Sequence, residues 1–260
     1  MNNTIEFDWR IYGVTKITKD LGRHKKGTPI RPAVRHRYRD GTQVIITPPR
    51  VQSLAFNIAI NAANSAQNIK NKISYLKTAD GKISVVDADL EKLYDYFEYC
   101  MIATTFSYQA LEAFTNHSIS KELGGACYKI EKVRCGRNET FFLTSEELER
   151  QYSTDEKLGT ILPTILKMKS PKQTKAWQHY KDLKKLRDKI MHFKPSELQL
   201  TNFTKKTFFF LLLDYDLKNI VVDALQILEY FSPKIGEKWW TDKIRTIVSS
   251  NDKADKYFDY

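Results

Sequence analysis

Lys184, Arg187, Asp188 and His192 stand close together in the last third of the chain and combine groups that move protons with groups that hold phosphate. A histidine titrates near neutral pH and can take or give a proton. An arginine keeps its charge and grips a phosphate through a bidentate fork. Asp188 precedes His192 by four residues, a spacing that on a helix lets a carboxylate orient the imidazole and raise its pKa. Such a set suits phosphodiester cleavage. In RNA, a base removes the 2′-OH proton, a cation stabilises the phosphorane charge and an acid protonates the 5′ oxygen, with no metal or cofactor required. One histidine per chain does not easily act as base and acid in a single event, whereas two copies related by a two-fold axis supply both.

A helix must hold these residues. Ser170-Pro171 has the residue types of an N-cap followed by proline at the first helical position, and Pro195 is a stop, so a helix is predicted over 170–193. On a wheel of 100° per residue, Leu183, Leu186, Ile190 and Phe193 form a core stripe, with His192 roughly 140° from its centre and Arg187 about 80° away on the other flank. Trp177, Lys184, Asp188 and Met191 fall in the sector between Arg187 and His192, with Tyr180 at its edge. A helix with two apolar faces usually buries both, so the second face is expected to meet another helix, in the same chain or across a dimer axis, leaving Arg187, Asp188 and His192 lining a cleft. Lys181, Lys184, Lys185 and Lys189 fit either a solvated face or phosphate contacts beside that cleft.

The remaining elements are also mostly helical. Few Gly and Pro, 10 and 8 in 260 residues, disfavour a turn-rich all-β fold. Leu54, Ile58, Ile60 and Ala63 suit a helix over 51–70, followed by a turn at Asp80-Gly81. Leu90, Leu93, Phe97, Cys100, Thr104, Tyr108 and Leu111 recur at three and four residues and predict a long helix over 86–118, ended before Gly124-Gly125. Residues 126–142 are ambiguous. Thr144-Ser145-Glu146-Glu147 has the types of an N-cap and acidic first turn. A last long helix is expected over 203–231, terminated by Pro233, with a short amphipathic tail around Trp239-Trp240.

The string Leu186-Arg187-Asp188-Lys189-Ile190-Met191-His192-Phe193 resembles the Arg-to-His motif of the HEPN superfamily, in the version where a polar residue follows the Arg. Phe106 to Asn116 is similar to the long helix of several HEPN families that carries Glu and Asn on a polar stripe; Glu112 and Asn116 are four apart and share a face. The resemblance covers about residues 86–232. It implies an antiparallel bundle of four to five helices, a homodimer, and a metal-independent endoribonuclease with its active site composed of two motifs across the dimer interface. In that frame His192 is general base or acid, Arg187 holds the scissile phosphate and Asp188 orients the site, with Glu112 and Asn116 supporting. The biological role it implies is a toxin or abortive-infection effector in antiviral defence, with an antitoxin or other regulatory partner. One departure is Lys194, where toxins paired with nucleotidyltransferase antitoxins carry Tyr. The competing readings are a non-catalytic module of the same shape that binds RNA, a nucleotide or a protein, and a plain helical interaction protein.

Charge separates the two ends of the chain. The formal net charge is +11, which favours an acidic partner such as RNA. Residues 1–50 hold more than half of that excess and form a basic β element ahead of a helical unit over 51–260. Val34 to Arg39 alternates, Asp40-Gly41 suits a type I′ turn, and Thr42 to Thr47 returns, so a hairpin is predicted. Residues 5–18 are a candidate further strand. Arg35, Arg37 and Arg39 then project from one face with His36 and Tyr38 on the other, either as an RNA-backbone grip or as charges guarding a strand edge. Cys100, Cys127 and Cys135 lack the number and spacing of a disulfide framework or zinc site, so a reducing cytoplasm is expected. The amino-terminal residues lack the pattern of an export signal, and the apolar run Phe208 to Leu213 is too short to span a bilayer and is expected in the core. The fold class predicted is therefore mainly α, with a small amino-terminal β element.

Overall fold

The computed structural model describes residues 8–10, 15–16, 19–20, 22, 25–26, 29–30, 33–77, 79, 83–134, 137–192, 194, 208–214, 217–235, 241–242 and 244–246. The chain is mainly helical with small antiparallel strand pairs, as its low Gly and Pro content suggests. Among the described residues, no helix is long and apolar enough to cross a membrane.

The amino-terminal part holds two short pairs, β1 (Thr15–Lys16) with β2 (Pro29–Ile30), and β3 (Val34–Arg37) with β4 (Gln43–Ile46). Of the candidate strand over 5–18, Thr15–Lys16 is a strand, while residues 5–7, 11–14 and 17–18 lie outside the described residues. The β3–β4 turn is not the two-residue type I′ turn expected. Gly41 N–H donates to Tyr38 O and Tyr38 N–H to Thr42 O, so three residues form the loop. Only Gly41 takes positive φ, at 87°, while Asp40 accepts the Thr42 N–H at 2.9 Å. Asp40 thus serves as an Asx turn and leaves the left-handed position to the glycine alone.

Helix α1 (Val51–Lys70) has the range expected, but of Leu54, Ile58, Ile60 and Ala63 only Ile60 and Ala63 face the core. Ala55, Phe56, Ala59, Ala62, Ala63 and Ala66 are buried, while Leu54 and Ile58 are exposed. Alanines let α1 approach the next helix closely, which large side chains would prevent. Strands β5 (Tyr75–Lys77) and β6 (Ile83–Val85) pair between the two helices; Asp80 and Gly81 of the expected turn lie outside the described residues. Asp89 fastens this hairpin to the following helix by accepting Ser74 N–H at 2.7 Å and Lys92 Nζ at 2.6 Å. Those bonds, Lys92 foremost, hold its carboxyl down to about 2.

Helix α2 (Leu90–Leu123) starts later than expected and runs five residues further. It is about 50 Å long at 1.5 Å per residue. It continues until Gly124, at φ 54°, forms a left-handed cap whose N–H donates to Ser120 O. The ambiguous segment is a hairpin, β7 (Tyr128–Arg134) with β8 (Arg137–Leu143), in register from Tyr128 opposite Leu143 to Arg134 opposite Arg137. Cys135 lies outside the described residues. Thr144 and Glu147 form a reciprocal capping box that opens α3 (Ser145–Gln151). A second box from Ser153 and Glu156 opens α4 (Thr154–Glu156), followed by a widened helical turn at Lys157–Ile161 and α5 (Leu162–Ile165).

Ser170 caps only a short turn at Pro171–Gln173; Thr174 then accepts Trp177 N–H and starts α6 (Lys175–Met191). The helix expected over 203–231 consists of α7 (Phe208–Asp214) and α8 (Leu217–Ile235), and residues 203–207 and 215–216 lie outside the described ones. Pro233 does not end α8. A proline cannot donate to Glu229 O, but Ser232 Oγ donates to that carbonyl at 3.1 Å, so no acceptor is stranded. Trp239 and Trp240 lie outside the described residues. Phe208 and Leu212 are buried in the core, as expected for that apolar run.

Helices α1, α2, α6 and α8 form the bundle. Helices α1 and α6 each pack on α2 and α8, which also meet one another, so α1 and α6 occupy opposite corners. Tyr96 Oη and Lys70 Nζ donate to Leu212 O at 2.7 Å and Leu213 O at 2.9 Å, which ties α7 to the same core.

Candidate nucleic-acid interface

Helix α6 turns Tyr180, Leu183 and Leu186 into the core and leaves a basic strip outside. Lys181, Lys184, Lys185, Asp188, Lys189 and His192, with Lys194 beyond the helix end, line an open groove of about 480 Å³. Spacings of three and four residues place these side chains on one side of the helix, so the groove follows from the helix register. Five lysines against one lining aspartate, with Lys181 also paired to Asp155, leave it net positive, a surface suited to a run of phosphates.

The second apolar face of α6 is covered within the chain at Trp177 and Tyr180 but not at Met191. Tyr180, expected at its edge, is fully buried and stacks on Tyr108 of α2 with ring centroids 6.3 Å apart. Its hydroxyl donates to Asp155, which also accepts Lys181 Nζ at 2.7 Å. Burial, with Tyr108 and Asp155 beside it, pushes the Tyr180 phenol far above its ordinary value. Trp177 lies against Gly159 in the widened turn, where a Cβ would fall 2.5 Å from Lys172 Cε and 2.9 Å from Trp177 Cη2, so a larger residue there would displace both side chains. Met191 is 54% exposed. Ile190 is half-buried, and Phe193 lies outside the described residues.

Arg187 and Asp188 are joined differently from the expected pairing of Asp188 with His192. The helix ends at Met191, and His192 departs from it at φ −124° and ψ 53°, keeping only its backbone N–H on Asp188 O at 3.0 Å. Among the described residues, no hydrogen bond joins the Asp188 carboxylate to the imidazole; it accepts Lys184 Nζ at 2.6 Å and Arg187 Nη1 at 3.1 Å. Burial works to raise the Asp188 carboxyl, but the bonds from Lys184 and Arg187 outweigh it and hold it below its ordinary value. The same bond to Asp188 raises Lys184. The Arg187 guanidinium lies over the Tyr108 ring, 4.7 Å from its centroid, and does not line the groove. A side-chain pairing at i,i+4 needs helical backbone through His192, and His192 has already left the helix.

Glu112 and Asn116 share a face of α2 as expected, but their partner is Lys157 rather than the groove. Asn116 Oδ1 accepts Lys157 Nζ at 2.8 Å, and Glu149 O accepts it at 3.4 Å. Burial pulls the Lys157 ammonium below its ordinary value, against the attraction of Glu112 and Glu149. Lys157 was not among the expected site residues; the two capping motifs just before it mark the segment that folds it inward, but nothing in its own spacing signals burial.

A histidine–carboxylate pair does exist on α6, at a position the sequence left undistinguished. His179 Nδ1 is 2.7 Å from Asp223 Oδ1, and Asp223 is buried on α8. The partners lie on helices 44 residues apart in sequence, and only tertiary packing brings them together.

The amino-terminal basic element is organised more loosely. Arg35 and Arg37 share one face of β3 and are exposed, with Ile45 and Gln43 opposite them. Arg39 lies in the turn, so the three arginines do not form one strand row. His36 and Tyr38 meet edge to face on the other side, with ring centroids 5.1 Å apart.

The chain matches no protein-family model, no curated protein and no solved structure.

Proposed function

We propose that the protein is a HEPN-like endoribonuclease that holds RNA in the α6 groove and cuts it without a metal, through a site composed of His192 and Arg187 from two copies. The observation that carries this reading is the exposed His192 at the end of a groove lined by five lysines. One His192 takes the 2′-OH proton, the freed oxygen attacks phosphorus, and the other gives a proton to the departing 5′ oxygen, leaving a 2′,3′-cyclic phosphate. The groove lysines stabilise the charge on the phosphorane, and Arg187 holds the scissile phosphate only by leaving its seat on Tyr108. Asp188 acts as a brace for Lys184 and Arg187 instead of orienting the imidazole. On this reading the biological role is that of a toxin or anti-phage effector held in check by a regulatory partner.

A second reading is RNA binding without cleavage through the same groove. It is favoured by Arg187, whose guanidinium is held by Tyr108 and Asp188 away from the groove. Incubation with labelled RNA in EDTA separates the two. Cleavage to a cyclic phosphate that is lost in His192→Ala and in Arg187→Lys, with both variants melting as wild type does, supports the nuclease. Cleavage unchanged in both variants, or abolished in wild type by EDTA, overturns it; binding without cleavage selects the second reading.

A further inference from the structure

For two His192 side chains to meet, the ends of two α6 helices must approach, and each brings its groove. That face carries five lysines against one aspartate, and among the described residues Met191 is the large exposed apolar side chain beside it. Stable dimers bury an apolar core largely free of charge, and like charges across an interface oppose association. The opposite corner of the bundle has the reverse character. The outer stripe of α1 presents Val51, Leu54 and Ile58, and the helix carries no charged residue before Lys70 at its end. Copies meeting through α1 leave their α6 grooves facing away from one another, because α2 and α8 lie between.

We infer that the composite site is assembled by its own substrate: the chain is monomeric at the α6 face until a single strand of RNA lies across two grooves and neutralises both. The inference rests on the two-copy reading of the site above. Phosphates placed between the facing lysines turn a repulsive surface into an attractive one, with release of the counterions of both partners. The histidines then approach only when the strand to be cut is already between them. Cleavage is thereby coupled to occupancy, and excess RNA separates the copies onto different strands.

Sedimentation velocity on the full chain tests this, with a single-stranded DNA oligonucleotide as probe because it has the phosphates but lacks the 2′-OH. The expected result is a monomer alone, a complex of two chains on one oligonucleotide at low ratio, and one chain per oligonucleotide in excess. Replacing Lys185 and Lys189 by Gln weakens the two-chain complex at least tenfold. RNA cleavage, followed in parallel in EDTA, passes through a maximum as RNA is raised at fixed protein. A stable dimer without oligonucleotide that brings α6 faces together, as seen by cross-linking at Lys189→Cys, overturns the inference; if that dimer cuts RNA, the two-copy nuclease stands. One chain per oligonucleotide at every ratio also overturns it. In that case cleavage linear in protein removes the two-copy site, and no cleavage removes the nuclease reading as well.

Discussion

The β3–β4 hairpin and helix α6 are both basic, and they differ in what lies behind the charge. All four residues of β3 are exposed, as are Ile45 at 62% and Ile46 on β4, so neither face of the ribbon rests on the core. Helix α6 carries its lysines on the back of a fully buried stripe, Tyr180, Leu183 and Leu186. It is further held to α2 by the Tyr108 stack and to α8 by His179 and Asp223. A cation on a braced helix loses little freedom when a phosphate arrives, whereas a two-stranded ribbon is marginal by itself and must be ordered by what it binds. Charge in the two regions is similar in kind; preorganisation is not.

Breaking the brace should reveal the difference most strongly. Tyr108→Ala removes both the Tyr180 stack and the seat of Arg187 and should cost about 3–4 kcal/mol, seen as a large fall in the denaturant midpoint. Tyr38→Ala on the hairpin should stay within about 0.5 kcal/mol. His179→Ala takes one partner from the buried Asp223 and should cost about 1 kcal/mol, with His179→Gln recovering part of it because an amide can still donate. Among the described residues the hairpin offers no equivalent change.

RNA affinity should divide the regions next. Replacing Lys185, Lys189 and Lys194 by Gln should lower affinity on the order of 100-fold near 0.1 M salt and flatten the salt dependence by roughly two units of log–log slope. Replacing Arg35, Arg37 and Arg39 by Gln should cost roughly tenfold, the ordering of the ribbon offsetting part of its contacts. Filter binding over a salt series reads both; equal losses would erase the distinction. A smaller effect is expected at Asp188→Asn, about 1 kcal/mol less stable yet several-fold tighter on RNA, because the groove loses its one negative charge. Loss of cleavage in that variant beyond its change in binding would restore a direct role on His192.

The smallest effect is in pH. Asp188 titrates below its ordinary value in the folded chain, so its contribution to stability is present above about pH 4, the unfolded value. It is lost as pH falls through the lower folded value. Wild type and Asp188→Asn should therefore converge in melting temperature in that acid window and differ above it.

The helical periodicities of 51–70 and of 90–111 were legible because three- and four-residue recurrence is a property of local sequence. The caps at Thr144 and the core stripe Leu183–Leu186 were legible for the same reason. Residues 126–142 were not, since mixed apolar and charged residues in a short hairpin carry weak period-two signal. The end of α6 lies two residues before the expected position, because Pro195 marks a stop but does not say which residue before it leaves the helix.

The sequence by itself determined that the chain is mainly helical and that basic residues recur on one side of α6, because both depend on neighbours within a few positions. Tertiary structure alone decided the partners. Arg187 lies on Tyr108, Asn116 holds Lys157, and Asp223 meets His179, each across a separation that only packing closes. Spacing along a helix assigns a direction to a side chain, whereas the group it meets there is set by which helices the buried alanines, leucines and tyrosines bring together.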